Sequence, residues 1–495
     1  MITKGSRRAL AAAGLVFAVS TAAALPAVAT QEPTQPNARE LVAACYEHIG
    51  DAPVVGHGLC RGVEQLDRDI AQACRFPRPA APTPEEVCSA IDGRVYSEAA
   101  MVEYEASWVH RALRLQAHLD DRVPLFDALI PGTHNSFNAA SQPPTLSGLD
   151  HNQVASLTDQ LRMDMRGIEV DVHWAPSASG DPANGMRAPV VCHAAPIDMS
   201  FTTVHAGCTS ERDLREALTE VLAWLNTLGN ENEFILLYLE NALDDDAAAH
   251  DAAADTIRDT IGGLVYQPDT NCRTMPTSLS KASIRETGAR VLIVGNCGPG
   301  AWGSWVHDRG VGPVWDEDKS ADGDDFACPN GGFGSVFRRF YEDSTWLSDT
   351  VEPMGIGSSG QITAAETVAM VECGVNLFGF DQLLPADPRL ASLVWSWAPN
   401  EPSAGTAARR GSDGRFRSAD PAGSAPYLCR NGAGSWAVTA TTGPWSLGDA
   451  ACSAEFGPGF ALGVPLTARD NAAITTTTDT WLDYAVVGGT WTPNP

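Results

Sequence analysis

Lysine is almost missing from this 495-residue chain, with only Lys4, Lys281 and Lys319 present. Arginine supplies the rest of the 33 basic residues, set against 61 acidic ones, for a formal net charge of −28. The lysine scarcity reads first as coding bias, but the sign of the charge excludes partners. Nucleic-acid binding needs clustered Lys and Arg to displace counterions from phosphates, and steady adsorption to an anionic membrane needs the same. No CxxC pair occurs among the twelve cysteines, which argues against zinc. Beyond the N-terminus no run approaches the roughly 20 apolar residues that span a bilayer, and no internal repeat of fixed period is found. What remains is an acidic, soluble chain, too long for one compact core.

The N-terminus has the pattern of a signal peptide. Lys4, Arg7 and Arg8 precede an apolar stretch, Ala9 to Leu25, and a small-residue cleavage site, Ala27-Val28-Ala29. Residues 1–29 are therefore expected to be removed and the mature protein secreted. Losing the three basic residues takes the charge from −28 to −31. The cysteines suit an oxidising compartment. They fall in groups: Cys45, Cys60, Cys74 and Cys88; Cys192 and Cys208; Cys272 and Cys297; Cys328 and Cys373; Cys429 and Cys452. An even number without metal spacing predicts six disulfides between near neighbours, with the connectivity left open.

Three regions follow. After the signal, residues 30–120 read as short helices tied by the first four cysteines, ending in an amphipathic stretch from Glu98 to Leu119. From 121 to 399, apolar runs alternate with helical stretches. Strands are expected at Leu125–Ile130, Gly167–Val172, Pro189–Cys192, Phe234–Leu239, Arg290–Val294, Asn376–Phe380 and Leu393–Trp397, with a further one between Val311 and Trp346. Helices are expected at Leu149–Met163, Glu211–Leu228, Ala247–Ile261 and Ala364–Cys373. That alternation predicts an α/β fold with a parallel sheet covered on both faces, and about eight units suit a TIM-type (β/α)8 barrel. Residues 400–495 are expected to form a small β-rich module, preceded by a stretch rich in Gly, Ser, Asp and Arg, Arg409 to Ala425, that reads as a linker or long loop.

Catalytic groups of such barrels sit at the C-terminal ends of strands. Here those ends read Gly132-Thr133-His134-Asn135, then Glu169-Val170-Asp171, then Cys192-His193, then Leu239-Glu240-Asn241. Glu169 and Asp171 share a face because side chains alternate along a strand. Three carboxylates and an amide oxygen make an all-oxygen ligand set, suited to calcium or magnesium. Two histidines beside it can move protons near neutral pH. Together these are the parts needed to cleave a phosphate ester, and a cation explains how an acidic protein can attack an anionic substrate. The loop opening at Asp318-Lys319-Ser320 imitates a calcium-binding loop, but Pro329 stands where a glutamate ligand is needed, so it reads as a solvated loop.

As an ordered set, His134-Asn135, Glu169-Val170-Asp171, His193 and Leu239-Glu240-Asn241 resemble the catalytic motifs of the phosphatidylinositol-specific phospholipase C superfamily, over roughly Pro124 to Pro399. The resemblance implies a TIM-type barrel with His134 and His193 as general base and acid. It further implies that Asn135, Glu169, Asp171 and Glu240 hold calcium (Ca2+), as in the metal-dependent branch. Metal-free members place an arginine where this chain has Asp171, and an aspartate there calls for a cation. The implied substrate is a phospholipid or inositol phosphodiester, met in transient contact with a membrane surface and cleaved through a cyclic phosphate. Lysines that read extra ring phosphates have no counterpart. A glycerophosphodiester or sphingomyelinase-D-like phosphodiesterase is the alternative enzyme, and an inert secreted binding protein is the alternative from another class. The tail, from Trp395-Ser396-Trp397 through Cys429, Trp436, Trp445 and Cys452, resembles a C-type-lectin-like module, implying carbohydrate binding. Capping of the barrel is its other reading.

Overall fold

The computed structural model describes residues 98–139, 151–181, 186–193, 195–199, 202–206, 212–243, 246–310, 314–319, 326–329, 332–344 and 360–493. The expected signal peptide, the region before residue 98 with its four cysteines, Cys208 and most of the acidic loop after Lys319 lie outside these residues.

Two helices come first, α1 (Glu98–Glu105) and α2 (Trp108–Leu119), where the apolar spacing alone predicts one. Ser107 divides them, because its side chain caps α2 by accepting from the His110 backbone N–H. There follow β1 (Gly132–Thr133), α3 (Leu157–Arg162), β2 (Gly167–Asp181), β3 (Arg187–Val191), β4 (Ala195–Met199), β5 (Thr202–Ala206), β6 (Arg212–Asp213), α4 (Leu214–Leu225) and β7 (Ile235–Ala242). Next are α5 (Ala247–Thr260), α6 (Lys281–Glu286), β8 (Val291–Gly295), β9 (His307–Asp308), β10 (Trp315–Lys319), β11 (Phe337–Tyr341), α7 (Ala364–Cys373), β12 (Leu377–Gly379) and α8 (Pro388–Ser392).

The fold is mixed α/β. Parallel ladders join β1 to β2, β2 to β7, β7 to β8 and β8 to β9. A second parallel run joins β10, β11 and β12. The two runs meet where Ile130 pairs with Leu377 and Thr133 with Phe380. Among the described residues no ladder joins β9 to β10. Gly132 is required at the seam, since a Cβ there would lie 2.5 Å from the Phe378 carbonyl oxygen and 2.6 Å from that of Gly167.

Both faces of the parallel strands are buried, each by one half of the period-two pattern. Ile168, Val170, Val172, Ile235, Leu237, Leu239, Val291 and Ile293 pack with the apolar faces of α4 and α5, including Leu218, Val221, Leu225, Ala253 and Ile257. The alternate residues Leu236, Tyr238, Leu292 and Val294 join Trp315, Phe337 and Leu377 in a separate cluster. Glu169 and Asp171 belong to that second face, because Glu169 pairs with Tyr238 and Asp171 with Glu240 across the β2–β7 ladder.

Several expected elements differ. The Pro189–Cys192 strand exists as β3, but it runs antiparallel to β2 and is no member of the parallel set. The reason is chain length: β2 continues to Asp181 and β3 begins at Arg187, far short of the dozen or more residues of a parallel crossover. The expected strand at Leu393–Trp397 is absent. Gln116 takes its backbone bonds instead, donating to the Leu393 carbonyl and accepting from the Trp395 and Ser396 N–H groups. The weak region between Val311 and Trp346 holds two strands, β10 and β11. Leu125–Ile130 is mostly turn, with only Ile130 bridged.

The presumed linker is a hairpin, β13 (Ala407–Arg410) with β14 (Phe416–Ala419). Its glycines and polar residues supply the turn at Gly411–Gly414 rather than a tether. Beyond it lie β15 (Ala425–Asn431), β16 (Trp436–Gly443), α9 (Gly448–Phe456), β17 (Phe460–Leu462), α10 (Ala468–Ala472), β18 (Thr480–Val487) and β19 (Thr490–Pro493). This β-rich tail packs onto the rest of the chain. Trp397, Phe416, Tyr484 and Trp491 form one aromatic cluster, and Tyr484 and Leu482 share a core with Leu113 and Leu393.

Disulfides link Cys272 to Cys297, Cys328 to Cys373 and Cys429 to Cys452, and Cys192 is also disulfide-bonded. Each of these three pairs joins near neighbours in the sequence, as expected. No helix among the described residues is long and apolar enough to cross a membrane. Alkylating the unreduced protein and weighing it should find no free thiol. Several free thiols would overturn the oxidised state for the cysteines outside these bonds.

Candidate active site

β1 delivers His134 and Asn135 immediately beyond its two residues. His134 is buried, its N–H bonded to the Phe380 carbonyl. Its Nδ1 lies 3.2 Å from Asp381 Oδ2. Asp381 stands just past β12, fully buried, where it accepts from the Ser344 N–H at 2.8 Å and from Gln153 Nε2 at 3.1 Å. Burial raises the Asp381 carboxyl well above its ordinary pKa, against the hydrogen bonds from Ser344 and Asn152. Burial also lowers the His134 imidazole; the carboxylates of Glu169, Asp343 and Glu240 oppose that shift and Arg339 adds to it. With Nδ1 held by Asp381, Nε2 is the ring atom left to exchange a proton with substrate.

Behind Asp381 lies a second buried pair. Glu342 accepts from the Asp381 N–H and from the Ile362 N–H, and lies 2.5 Å from Arg389 Nη1. Arg389 Nη2 donates to the Asp381 carbonyl at 2.9 Å. Burial pushes Glu342 up to about 7, with Arg389 pulling the other way. The backbone carrying Asp381 is thus gripped on both sides.

Asn135 has φ 43°, a left-handed conformation that asparagine tolerates better than most residues. The turn brings its side chain over β2. One terminal atom of its amide lies 3.1 Å from both carboxylate oxygens of Asp171 and the other 3.2 Å from Asn152 Oδ1. Glu169, Asp171 and Glu240 each place an oxygen within 4.8 Å of the others. The first two are buried and Glu240 is exposed. Asp171 is held well above the usual carboxylate range, first by burial and then by the charges of Glu240 and Glu169. An arginine enters from β11: Arg339 Nη2 lies 2.5 Å from Glu169 Oε2 and Nη1 3.2 Å from Glu317. Burial disfavours its charge, but Glu169, Tyr238 and Glu317 outweigh that and hold the guanidinium above its ordinary pKa. When ionised, these carboxylates outnumber the one guanidinium, which Glu317 shares, and a divalent cation would offset the excess negative charge. The donor set is all oxygen, which suits calcium and does not suit zinc.

His193 follows β3, half-buried, with Nδ1 3.4 Å from Asn138 Nδ2. Asn138 Nδ2 also donates to Asn152 Oδ1 at 2.8 Å. Asn152 ties this arm to Asn135 and Asp381. The structure therefore brings His134, Asn135, Glu169, Asp171 and Glu240 to one end of β1, β2 and β7, with His193 linked to them through Asn138 and Asn152. Lys281 pairs with buried Asp120, and Lys319 with Asp343. Asp381, Arg339, Tyr341, Asn138 and Asn152 escape the sequence motifs. Tyr341 sets its ring 5.2 Å from that of His134, with the Arg339 guanidinium over the Tyr341 ring at 4.3 Å. Asp381 had a signal, since it directly follows an expected strand, Asn376–Phe380; the others had none.

Parallel strands whose ends gather histidine and carboxylate define the class, and the chain is a phospholipase C-like phosphodiesterase. Residues 91–387 match the family described as the Rv2075c PI-PLC-like domain, and the chain belongs to that family. Two uncharacterised proteins of Mycobacterium tuberculosis, Rv2075c of strain H37Rv and MT2135 of strain CDC 1551, are each 36% identical to it over 433 residues, which is 84% of this chain and 86% of theirs. Among solved structures, the phosphatidylinositol-specific phospholipase C of Listeria monocytogenes aligns with 12% identity and a TM-score of 0.33, over 57% of this chain and 97% of its own. A Staphylococcus aureus phosphatidylinositol-specific phospholipase C aligns with 13% identity and a TM-score of 0.37, over 58% and 98%.

Proposed function

We propose that this protein is a secreted, calcium-dependent phosphodiesterase that cleaves a phospholipid or inositol phosphodiester of the phosphatidylinositol type. One observation carries the reading: the oxygens of Glu169, Asp171 and Glu240 converge beside a histidine whose Nδ1 faces a buried aspartate. Asn135, Glu169, Asp171 and Glu240 would hold the cation. When bound, calcium supplies a Lewis acid for the phosphoryl oxygens and lowers the pKa of the attacking hydroxyl. His134 Nε2 accepts the proton of that hydroxyl, the inositol 2-hydroxyl if the substrate is a phosphoinositide, while Asp381 holds the Nδ1 proton and stabilises the imidazolium. His193 returns a proton to the departing alcohol oxygen, diacylglycerol in that case. The first product is then a cyclic phosphate.

The arrangement also supports a closed TIM-type barrel over residues 121–399. Arg309, just past β9, bonds Glu317 of β10, and Trp315 stacks on Tyr238 at 5.7 Å. On this reading residues 30–120 form the disulfide-tied helical region and 400–495 a module that caps the barrel. Secretion rests on the N-terminal pattern and the disulfides, and substrate is met in transient contact with a membrane surface.

The test is a product assay on phosphatidylinositol, lysophosphatidylcholine and glycerophosphoinositol, with calcium and with chelator. Cyclic inositol phosphate released from phosphatidylinositol only with calcium is the expected result. Turnover of lysophosphatidylcholine or glycerophosphoinositol alone would move the assignment to the other phosphodiesterases. No turnover of any of the three would sink it.

A further inference from the structure

Asn152 is the side chain through which the cation ligands and the histidine pair meet, and its hydrogen bonds leave one arrangement. It is fully buried, just before α3. Its Nδ2 donates to the Ser344 backbone carbonyl at 3.0 Å and faces Asp381 Oδ2 at 3.4 Å. A backbone carbonyl can only accept, so this end of the amide must be the nitrogen. The oxygen then points the other way, where it accepts from Asn138 Nδ2 at 2.8 Å and from Asn135 Nδ2 at 3.2 Å. Two lone pairs and two protons are all in use.

That fixes Asn135 in turn. With its nitrogen committed to Asn152, its oxygen is turned to Asp171, acceptor against acceptor, 3.1 Å from each carboxylate oxygen. Exchanging the nitrogen and oxygen of Asn135 would give hydrogen bonds to Asp171 at that distance, but would set its oxygen 3.2 Å from Asn152 Oδ1. Local hydrogen bonding by Asn135 and Asp171 alone favours the exchanged form. Asn152 forbids it.

We infer that Asn152 is a positioning residue that keeps the Asn135 amide oxygen aimed at the cation, and that it joins this ligand to the Asp381 support of His134. The inference rests on the calcium reading above. Without Asn152 the Asn135 amide turns and donates to Asp171, so a cation must break those bonds before it can bind. Groups that orient metal ligands in this way are worth about ten- to a hundredfold in metal affinity.

The experiment is a calcium titration of the whole secreted protein, read by calorimetry and by melting temperature, for the parent, Asn152→Ala and Asn152→Leu. The leucine variant fills the same buried space, so a folding failure of the alanine variant leaves a second readout. Each folded variant should bind calcium ten- to a hundredfold more weakly. Asn135→Asp gives a second readout, because a carboxylate has no nitrogen to turn inward. In that background Asn152→Ala should change calcium affinity by less than about threefold, the two sites being coupled. Unchanged calcium affinity in the folded Asn152 variants of a parent that does bind calcium overturns the positioning role, even if turnover falls through Asp381. A parent that binds no calcium sinks the cation reading itself, and this inference with it.

Discussion

His134→Ala and His193→Ala should each lower turnover at least about a hundredfold, the usual scale for losing a general base or acid, while the folded state persists. For His134 the expectation rests on its surroundings. The ring is buried against Tyr341 and Gly379, its Nδ1 is engaged by Asp381, and Asp381 is itself held by Ser344 and Gln153. A ring held in this way loses little entropy when it reacts, and its loss is not rescued by a neighbour. The pH profile carries the sign. Burial lowers the His134 pKa from its ordinary value of 6.5, and a base works only above its pKa, so the acid limb of kcat/KM should lie below 6.5. A bound cation pushes the same way. Steady-state kinetics with circular dichroism on each variant decides the matter. A well-folded variant within a few-fold of the parent would remove that histidine from the mechanism.

The motifs at the ends of β1, β2 and β7 were legible because each is local. Glu169 and Asp171 announce a shared face by their spacing of two, and the β2–β7 register then sets Asp171 opposite Glu240. What hid from the sequence is pairwise and distant. Asp381 lies 247 residues from His134, and Arg339 lies 170 from Glu169. Arg339 also qualifies a contrast drawn from the resemblance, in which an arginine and a cation are alternatives. Here Asp171 sits at the last position of the Glu-x-Asp motif and an arginine still arrives, from β11, to neutralise Glu169. The strands themselves divided along similar lines. Runs such as Ile235–Leu239 and Val291–Val294 carry a double-sided burial that reads as a parallel sheet, but strand direction is not written in the pattern. β3 has the same apolar texture and runs the other way. The β13–β14 hairpin was masked by its own turn, whose glycines and charges outweigh the buried Phe416 and the small buried Ala407 and Ala408.

Asp171→Asn should abolish the calcium response and activity together, yet leave the cation-free protein as stable as the parent or more so. Asp171 is buried among Glu169 and Glu240, and its pKa in the folded state is raised well above 3.8. The folded state then holds a proton that the unfolded state has released, so stability falls as pH rises through the raised value. Above it, an ionised Asp171 faces two carboxylates and the Asn135 oxygen, with Arg339 already bonded to Glu169. Asparagine removes that repulsion and can donate to the oxygen it faces. The gain should appear in chelator at neutral pH and vanish in acid, where the parent is protonated. Calcium reverses the order, because it binds the folded parent and stabilises it in proportion to the logarithm of its concentration. Melting curves and turnover for parent and variant, in chelator and across a calcium series, give both halves at once. A parent fully active in excess chelator, with a melting temperature indifferent to calcium, would leave the acidic cluster without a cation and Asp171 without a role.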